Sequence, residues 1–268
     1  AQFFPTATKA QWRSWKWQLQ HRIDSLLKLG PILKLTDSEI AAFNHGQQRI
    51  PFAITPYYLG VIKNICQDDA LRKSLVPVEP EFKVSSGESH DPLIEEKHSP
   101  VPVIVHRYPD RVLFLTTRQC AVYCRYCTRA RIFSQPAPSI RRTAHWKEGL
   151  AYISETESIR EVIVSGGDAL MLEDDALKWL LGELRKIPHV EIIRLGTKLP
   201  VVLPQRLTEK LTGMLRSFHP LIFSLHVIHP DELTREAAFA IARQTVRTIP
   251  MRSDPGIQTL PHEARHGS

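Results

Sequence analysis

The 268-residue chain lacks the features that mark several protein classes. It has no uninterrupted apolar run of about 18 to 20 residues, so no membrane span is expected. Its first residues, AQFFPTATKAQWRSW, do not place an apolar stretch after a basic one, as a secretory signal would. The net charge is +7, but the basic residues are scattered among 28 acidic ones. This scatter favours an enzyme that handles anionic cofactors over a nucleic-acid binder.

Cysteine is scarce, and its four copies are unevenly placed. Cys120, Cys124 and Cys127 lie close together, whereas Cys66 lies far from them. A secreted disulfide scaffold spaces its cysteines more widely over a shorter chain. We therefore expect a reducing, cytoplasmic compartment and a metal site. Cys66 is expected to be a small buried residue.

The chain is expected to have three parts. Residues 1–109 are interpreted as a helical region followed by an extended connector, which begins near residue 76 and is rich in Pro, Ser, Glu and His. One amphipathic helix is predicted to open near Thr8, and another at Thr36, where Glu39 completes a capping box. Residues 110–242 form the main α/β unit, and residues 243–268 are expected to be an irregular tail.

Short apolar runs alternate with helical patterns after residue 110. The apolar runs cover 112–117, 161–165, 190–197 and 221–226. Helical periodicity covers 174–187 and 205–218. This alternation predicts an α/β fold with at least four βα units around a buried parallel sheet. In such folds the chemistry lies in the loops that follow the strands.

The cysteine motif follows the first predicted strand. Cys120, Cys124 and Cys127 have the spacing C-x3-C-x2-C. Three thiolates on one loop can bind three irons of a 4Fe–4S cluster and leave the fourth iron open. An open iron can bind the amino and carboxylate groups of S-adenosylmethionine and deliver an electron to its sulfonium. The alternative is structural zinc, which needs a fourth ligand from Cys66 or a histidine.

The other three predicted strands end in small or polar clusters. These are SGGD at 165–168, Gly196-Thr197 and His226. Two glycines allow the backbone to approach a ligand, and the neighbouring amides are expected to hydrogen-bond it. The GGD motif taken alone is equally typical of a simple turn, and His226 is equally typical of a structural histidine. Their shared position after parallel strands predicts one ligand-binding rim.

These motifs resemble the lysine 2,3-aminomutase family of radical S-adenosylmethionine enzymes. The resemblance is carried by RVLFLTTRQCAVYCRYCTRARIF, with HRYPDR before it and VIVSGGDAL after it. It extends through GTKLPVVLPQRLT and HVIHPDELT, and back to WRSWKWQLQHRI and PFAITPYYLG. Together these segments cover about residues 10 to 242 in the order of the family.

The resemblance implies a partial (βα) barrel of the radical S-adenosylmethionine type, with about four of its six units here and an N-terminal helical segment. It implies a 4Fe–4S cluster, S-adenosylmethionine and pyridoxal 5'-phosphate as cofactors. The reaction would move an amino group from carbon 2 to carbon 3 of an amino acid through a 5'-deoxyadenosyl radical. Lysine is the first expectation for the substrate, with glutamate, arginine and a lysine of a protein-maturation pathway as alternatives. A reductant such as flavodoxin or ferredoxin and association into homo-oligomers are also implied, with no nucleic acid and no membrane.

The resemblance also assigns site residues by position. Cluster ligands would be Cys120, Cys124 and Cys127, and Arg129 would grip the substrate carboxylate. Contacts to S-adenosylmethionine would come from Tyr126, Ser165, Gly166, Gly167, Asp168 and His226. Contacts to pyridoxal phosphate would come from Arg107, Tyr108 and Arg111. Apart from the resemblance, Arg111 is expected to be an ordinary surface charge at the start of a strand.

Several features depart from the family pattern. Arg118 stands where relatives carry a small acidic or amide residue, and Ile228 where relatives carry asparagine. Relatives continue for two more βα units and then supply the lysine that bonds pyridoxal phosphate, whereas the last lysine here is Lys210. A catalytic lysine is therefore not assigned. Together with the missing initial methionine, this favours an incomplete or frameshifted version of a longer enzyme, whose open barrel edge predicts association or poor solubility. The alternatives are a truncated cluster-binding protein without aminomutase turnover and, from another class, a zinc-stabilised binding module.

Overall fold

The computed structural model describes residues 3–45, 50–62, 69–83, 86–134 and 143–245. Cys66 and the end of the chain after residue 245 lie outside the described residues, and so do the expectations attached to them. Within the described residues, no helix combines the length and the apolar character that a bilayer span requires.

A five-stranded sheet forms the centre of the described chain. Its strands are β1 (Ile104–Tyr108), β2 (Arg111–Thr117), β3 (Glu161–Gly166), β4 (Ile192–Thr197) and β5 (Leu221–Leu225). They lie in the order β1-β2-β3-β4-β5, with β1 antiparallel to β2 and the other neighbours parallel. The predicted α/β class and the four parallel strands are confirmed.

Strand β1 was not predicted, because it lies inside the segment interpreted as an extended connector. Ile104 pairs with Phe114 and Tyr108 with Arg111, so β1 and β2 form a hairpin. Only the first half of β1 is buried, and its second half carries polar, exposed side chains. This short half-buried stretch gives little periodicity from which a strand could be recognised.

Helices precede the sheet and separate its four parallel strands. The helices before the sheet are α1 (Lys9–Trp12), α2 (Trp15–Gln20), α3 (Leu26–Leu29), α4 (Asp37–Asn44), α5 (Pro56–Leu59) and α6 (Ala70–Lys73). Those after β2 are α7 (Arg131–Ser134), α8 (Thr143–Glu155), α9 (Asp174–Arg185), α10 (Leu199–Val202), α11 (Glu209–Arg216) and α12 (Arg235–Thr245). Short 3-10 turns lie at Glu79–Phe82, Glu96–His98, Ala169–Met171, Pro204–Arg206 and Pro230–Glu232.

The predicted starts of two helices are confirmed. Thr36 accepts from the Glu39 amide while the Glu39 carboxylate accepts from the Thr36 amide, and Thr8 makes the same exchange with Gln11. The single amphipathic helix expected after Thr8 is nevertheless two helices. Ser14 interrupts it, because its hydroxyl accepts from the Trp17 amide and so caps a new helix.

One hydrophobic cluster joins the sheet, its helices and the N-terminal region. Leu177, Leu180, Leu181 and Leu184 of α9 are fully buried, on the i, i+3, i+4, i+7 spacing of a helix face. The N-terminal region contributes fully buried residues such as Tyr58 to the same cluster. The N-terminal helices therefore pack against the sheet next to the loops that follow its strands.

Candidate active site at the cysteine loop

A cavity of about 450 Å³ lies where the parallel strands β2 to β5 end. This is the edge at which α/β folds place their chemistry. The cavity brings together most of the residues predicted for the site. They are Cys120, Cys124, Tyr126, Cys127, Arg129, Ser165, Gly166, Gly167, Asp168 and His226. Neither Arg118 nor Ile228, the two departures from the family pattern, lines it.

The cysteine loop, residues 120–127, rests on the N-terminal region. An Arg22 Nη1 donates to the Cys120 carbonyl at 3.0 Å. The amide of Tyr123 donates to the Ala53 carbonyl at 3.2 Å. Arg125 lies between the second and third cysteines. Its side chain is buried, and its Nε donates to Glu81 Oε2 at 2.9 Å. These contacts fix the loop from outside the cavity, so the three cysteines are free to face the cavity.

The three cysteines are free thiols, each partly buried. Burial raises the pKa of Cys120, Cys124 and Cys127, and the nearby Asp168 carboxylate raises the pKa of Cys120 further. Metal binding at these thiols would therefore release protons. Among the residues that the structure describes, no group of three or more His, Cys, Asp or Glu side chains is close enough to hold a single metal ion. The assignment of the cysteines as cluster ligands thus rests on their motif and on their place at the cavity.

Gly166 and Gly167 let β3 approach the chain that leads into the cysteine loop. Gly166 has φ +122°, and a Cβ there would lie 2.4 Å from the Thr117 carbonyl oxygen. A Cβ at Gly167 would lie 2.4 Å from the Gln119 carbonyl oxygen. Side chains at these positions would therefore push the cysteine loop away from β3.

The expectation that the amides next to these glycines bind a ligand needs correction at two positions. The Gly167 amide donates to the Thr117 carbonyl at 2.6 Å, and the Asp168 amide donates to the Gln119 carbonyl at 2.9 Å. Both donors are already used within the protein. The glycines allow the turn after β3 to hydrogen-bond the segment before the cysteine loop. These hydrogen bonds shape the cavity wall.

Asp168 ties the loop after β3 to the loop after β4. Its carboxylate accepts from the Thr197 hydroxyl at 2.8 Å and from the Lys198 amide at 2.8 Å. It also accepts from the amides of Leu170 and Leu199 at 3.0 and 3.2 Å. Burial outweighs these bonds and raises the pKa of Asp168 to about 6. This carboxylate holds two cavity walls together.

Tyr126 and His226 form an aromatic corner of the cavity. Their ring centroids lie 5.6 Å apart at an interplanar angle of 82°. The His226 amide donates to the Thr197 carbonyl at 2.9 Å. Burial, helped by the Lys198 ammonium, lowers the pKa of His226, which favours the neutral ring at neutral pH. An uncharged, partly exposed aromatic corner suits a flat heteroaromatic ligand.

Arg129 lines the cavity and is held by a buried carboxylate that the sequence did not single out. Its Nε donates to Glu95 Oε1 at 2.8 Å, and Arg131 donates to Glu95 Oε2 at 2.8 Å. Glu95 is only 4% exposed although it lies in the Pro- and Ser-rich connector. Sequence periodicity gave no sign of this anchor, because it depends on a contact between residues 34 positions apart.

A second polar group missed by sequence reasoning lies at the cavity wall. Lys198 lines the cavity, and its Nζ donates to the fully buried Glu232 Oε1 at 2.5 Å. The Tyr58 hydroxyl donates to the same oxygen, and the Ile228 amide donates to Glu232 Oε2 at 2.6 Å. One sequence signal could have revealed Lys198. It lies directly after Gly196-Thr197, at the end of a predicted strand.

Arg107, Tyr108 and Arg111 are not brought to this cavity. They lie in the β1–β2 hairpin, at the end of β2 opposite the cysteines. A strand of this length spans roughly 20 Å. Arg111 is exposed and forms ion pairs with two carboxylates. Its Nε lies 3.1 Å from Asp110 Oδ1, and its Nη1 lies 4.0 Å from Glu161 Oε2. Their assignment to pyridoxal phosphate stays a prediction, as does the alternative of a surface charge at Arg111.

Known proteins with similar sequences are aminomutases, although no family model matches the chain. The chain is 40% identical over 249 residues to the L-lysine 2,3-aminomutase of Acetoanaerobium sticklandii, across 93% of this chain and 60% of that protein. It is 42% identical over 254 residues to a putative L-lysine 2,3-aminomutase of Aquifex aeolicus, across 94% and 68%. It is 39% identical over 246 residues to the glutamate 2,3-aminomutase of Clostridioides difficile, across 91% and 57%.

The chain spans only part of each relative's length: 60% of the first, 68% of the second and 57% of the third. The aligned part includes the cysteine loop and all four parallel strands, which build the cavity. On this similarity the chain belongs to the lysine 2,3-aminomutase family.

Proposed function

We propose that this chain carries the cluster-binding and S-adenosylmethionine-binding part of a radical aminomutase. The observation that supports it best is the cavity, where three cysteines of one loop meet the SGGD turn and the Tyr126–His226 corner. Lysine 2,3-aminomutases use a 4Fe–4S cluster, S-adenosylmethionine and pyridoxal phosphate. Four consecutive parallel strands separated by helices are also compatible with the proposed partial barrel.

The donor set fits the cluster. Three soft thiolates suit iron–sulfur binding, and a loop with three ligands leaves one iron open. Two cations near the thiols, Arg22 and Lys198, partly offset the pKa increase that burial causes at Cys120 and Cys124. When bound, the cluster supplies the electron that cleaves the sulfonium of S-adenosylmethionine. Cys120, Cys124 and Cys127 would each hold one iron.

The remaining cavity residues would orient the organic ligands. Tyr126 and His226 present a surface on which an adenine ring can pack. Arg129 uses its Nε for Glu95, whereas its two terminal nitrogens have no hydrogen-bond partner among the described residues. Such a pair of nitrogens matches a carboxylate. Asp168 would shape the wall that S-adenosylmethionine contacts, because its carboxylate is bonded within the protein.

The whole reaction would move the amino group of an amino acid from carbon 2 to carbon 3. Lysine is the first candidate for the substrate, because relatives that match about nine tenths of this chain carry that name, and glutamate is the second. A flavodoxin or ferredoxin in the cytoplasm would supply the electron, and homo-oligomers are part of the proposal. Arg107, Tyr108 and Arg111 lie away from this cavity, and their contact with pyridoxal phosphate remains part of the proposal.

Metal analysis after anaerobic reconstitution tests the proposal. We expect about four irons and matching sulfide per chain. One zinc without sulfide would instead support the zinc-stabilised binding module. Cleavage of S-adenosylmethionine under reducing conditions should be lost in Cys124→Ala and retained in Cys66→Ala, which removes the only cysteine outside the motif. Cleavage without amino migration would favour the cluster-binding protein that does not turn over an amino acid.

A further inference from the structure

Arg22 is a cation from the N-terminal region that reaches the cysteine loop. It lies between α2 and α3, 98 residues before Cys120, yet its Nη1 donates to the Cys120 carbonyl at 3.0 Å. Its positive charge also acts on Tyr123, inside the same loop, where it opposes the rise in pKa that burial causes. Arg22 therefore lies against the loop next to its first cysteine.

The charge of Arg22 has no counter-ion within the described part of the chain. No carboxylate lies within 4.0 Å of it there, and the neighbouring Asp24 is paired with Lys28 at 2.8 Å. The Arg22 Nε is buried and has no hydrogen-bond partner among the residues that the structure describes. A partly buried guanidinium without an anion is unfavourable, because burial removes water that would otherwise solvate its charge. Its environment therefore favours an anion in the cysteine loop.

The proposed cluster would be such an anion, since three thiolates and the sulfides carry more negative charge than the irons offset. Reduction by one electron adds a further negative charge. A fixed cation beside one ligand stabilises the reduced form more than the oxidised form. Burial makes this effect larger than it would be in water.

Resting on the proposed function, we infer that Arg22 is the positioning residue that makes the cluster reducible: it holds the Cys120 backbone and supplies the positive charge that stabilises the reduced cluster. Arginine suits this role because its guanidinium combines a positive charge with several N–H donors that can bind a backbone carbonyl.

The test is the midpoint potential of the cluster in the full reconstituted chain, measured by electron paramagnetic resonance during a redox titration. Arg22→Met should disfavour the reduced cluster at least tenfold, which is a shift of about 59 mV to more negative potential for one electron. Arg22→Lys keeps the charge and should stay much closer to the wild type. Lys186→Met removes an exposed cation that is paired with Glu183 in α9, and should leave the potential unchanged.

The outcomes separate this inference from the proposed function. Equal potentials in Arg22→Met and the wild type, both with four irons, would overturn the role of Arg22 alone. A folded Arg22→Met that loads no iron, together with an Arg22→Lys that loads it fully, would support a need for the charge. If neither Arg22→Met nor Arg22→Lys binds iron, the hydrogen-bond geometry of Arg22 matters and its charge does not. This result would overturn the proposed role of the charge. A wild type that forms no cluster would overturn both proposals.

Discussion

Lys198 and Glu232 form a buried ion pair at the wall of the cysteine cavity, with Nζ 2.5 Å from Oε1. Lys198 begins the segment after β4, and Glu232 lies in the 3-10 turn after β5. The Tyr58 hydroxyl donates to the same carboxylate from the N-terminal region. Three separate parts of the chain therefore meet at one carboxylate, which fixes this part of the cavity wall.

Lys198→Met should destabilise the protein strongly. The change leaves Glu232 fully buried without its cation, and the loss of one partner of a buried pair costs about 3–5 kcal/mol. The free energy of unfolding in urea measures the effect. The double variant Lys198→Met/Glu232→Gln removes the stranded charge but keeps an acceptor for Tyr58, so it should be more stable than Lys198→Met. A double variant that is less stable than the single one would contradict this interpretation.

Gly167→Ala should displace the cysteine loop. The added methyl group would lie 2.4 Å from the Gln119 carbonyl oxygen, which is backbone and cannot rotate away. We expect a loss of stability of about 2 kcal/mol together with reduced iron loading. Gly213→Ala in α11 is the matched control, because a Cβ there would meet none of the described residues within 4 Å. It should stabilise the protein by about 0.5–1 kcal/mol. Full iron loading in Gly167→Ala would rule out the steric argument.

Glu95→Gln should loosen the arginine that lines the cavity. The change keeps the shape of the side chain but removes the charge that both Arg129 and Arg131 bind at 2.8 Å. We expect a loss of about 2 kcal/mol in unfolding free energy. Glu96→Gln is the comparison, since its side chain is 63% exposed and lies 3.7 Å from Arg131. It should change stability by less than about 0.5 kcal/mol, and similar losses in both variants would argue against Glu95 as the anchor.

The parallel strands and the cavity residues could be predicted from the sequence, because both depend on local signals. A strand buried on both faces is a continuous apolar run, and the residues after it fall at the sheet edge by topology alone. Cys120, Ser165 and His226 were found in this way. Strand β1 and the polar partners Arg22, Glu95 and Glu232 could not be found, because each depends on a contact between distant parts of the chain.

For the GGD motif, the sequence predicted the position at the cavity correctly but the role of the backbone amides wrongly. The GGD motif does lie at the cavity, as its place after a strand predicted. The donors of Gly167 and Asp168 bond the chain before the cysteines and not a ligand. A sequence shows that a glycine allows a close approach, but the identity of the approaching group depends on the tertiary fold.

Asp168 gives the protein a stability that depends on pH. Its pKa rises from the ordinary 3.8 to about 6 in the folded protein, chiefly because of burial. The folded state therefore binds more protons than the unfolded state between these values. The stabilising contribution of the protonated group is complete below about pH 3.8 and is lost as the pH rises through about 6. The total change is about 3 kcal/mol, from about 1.4 kcal/mol per pKa unit.

The comparison with Asp168→Asn, which does not titrate, isolates this contribution. Unfolding free energies of the chain without metal are measured in urea from pH 4 to pH 7 for both proteins. The stability of the wild type relative to Asp168→Asn should fall across this window, and a rise would contradict the sign of the shift. Thr197→Val removes a hydroxyl that donates to the carboxylate at 2.8 Å and so favours its ionised form. The fall should therefore extend to higher pH in Thr197→Val, because the pKa of Asp168 rises further when that donor is lost.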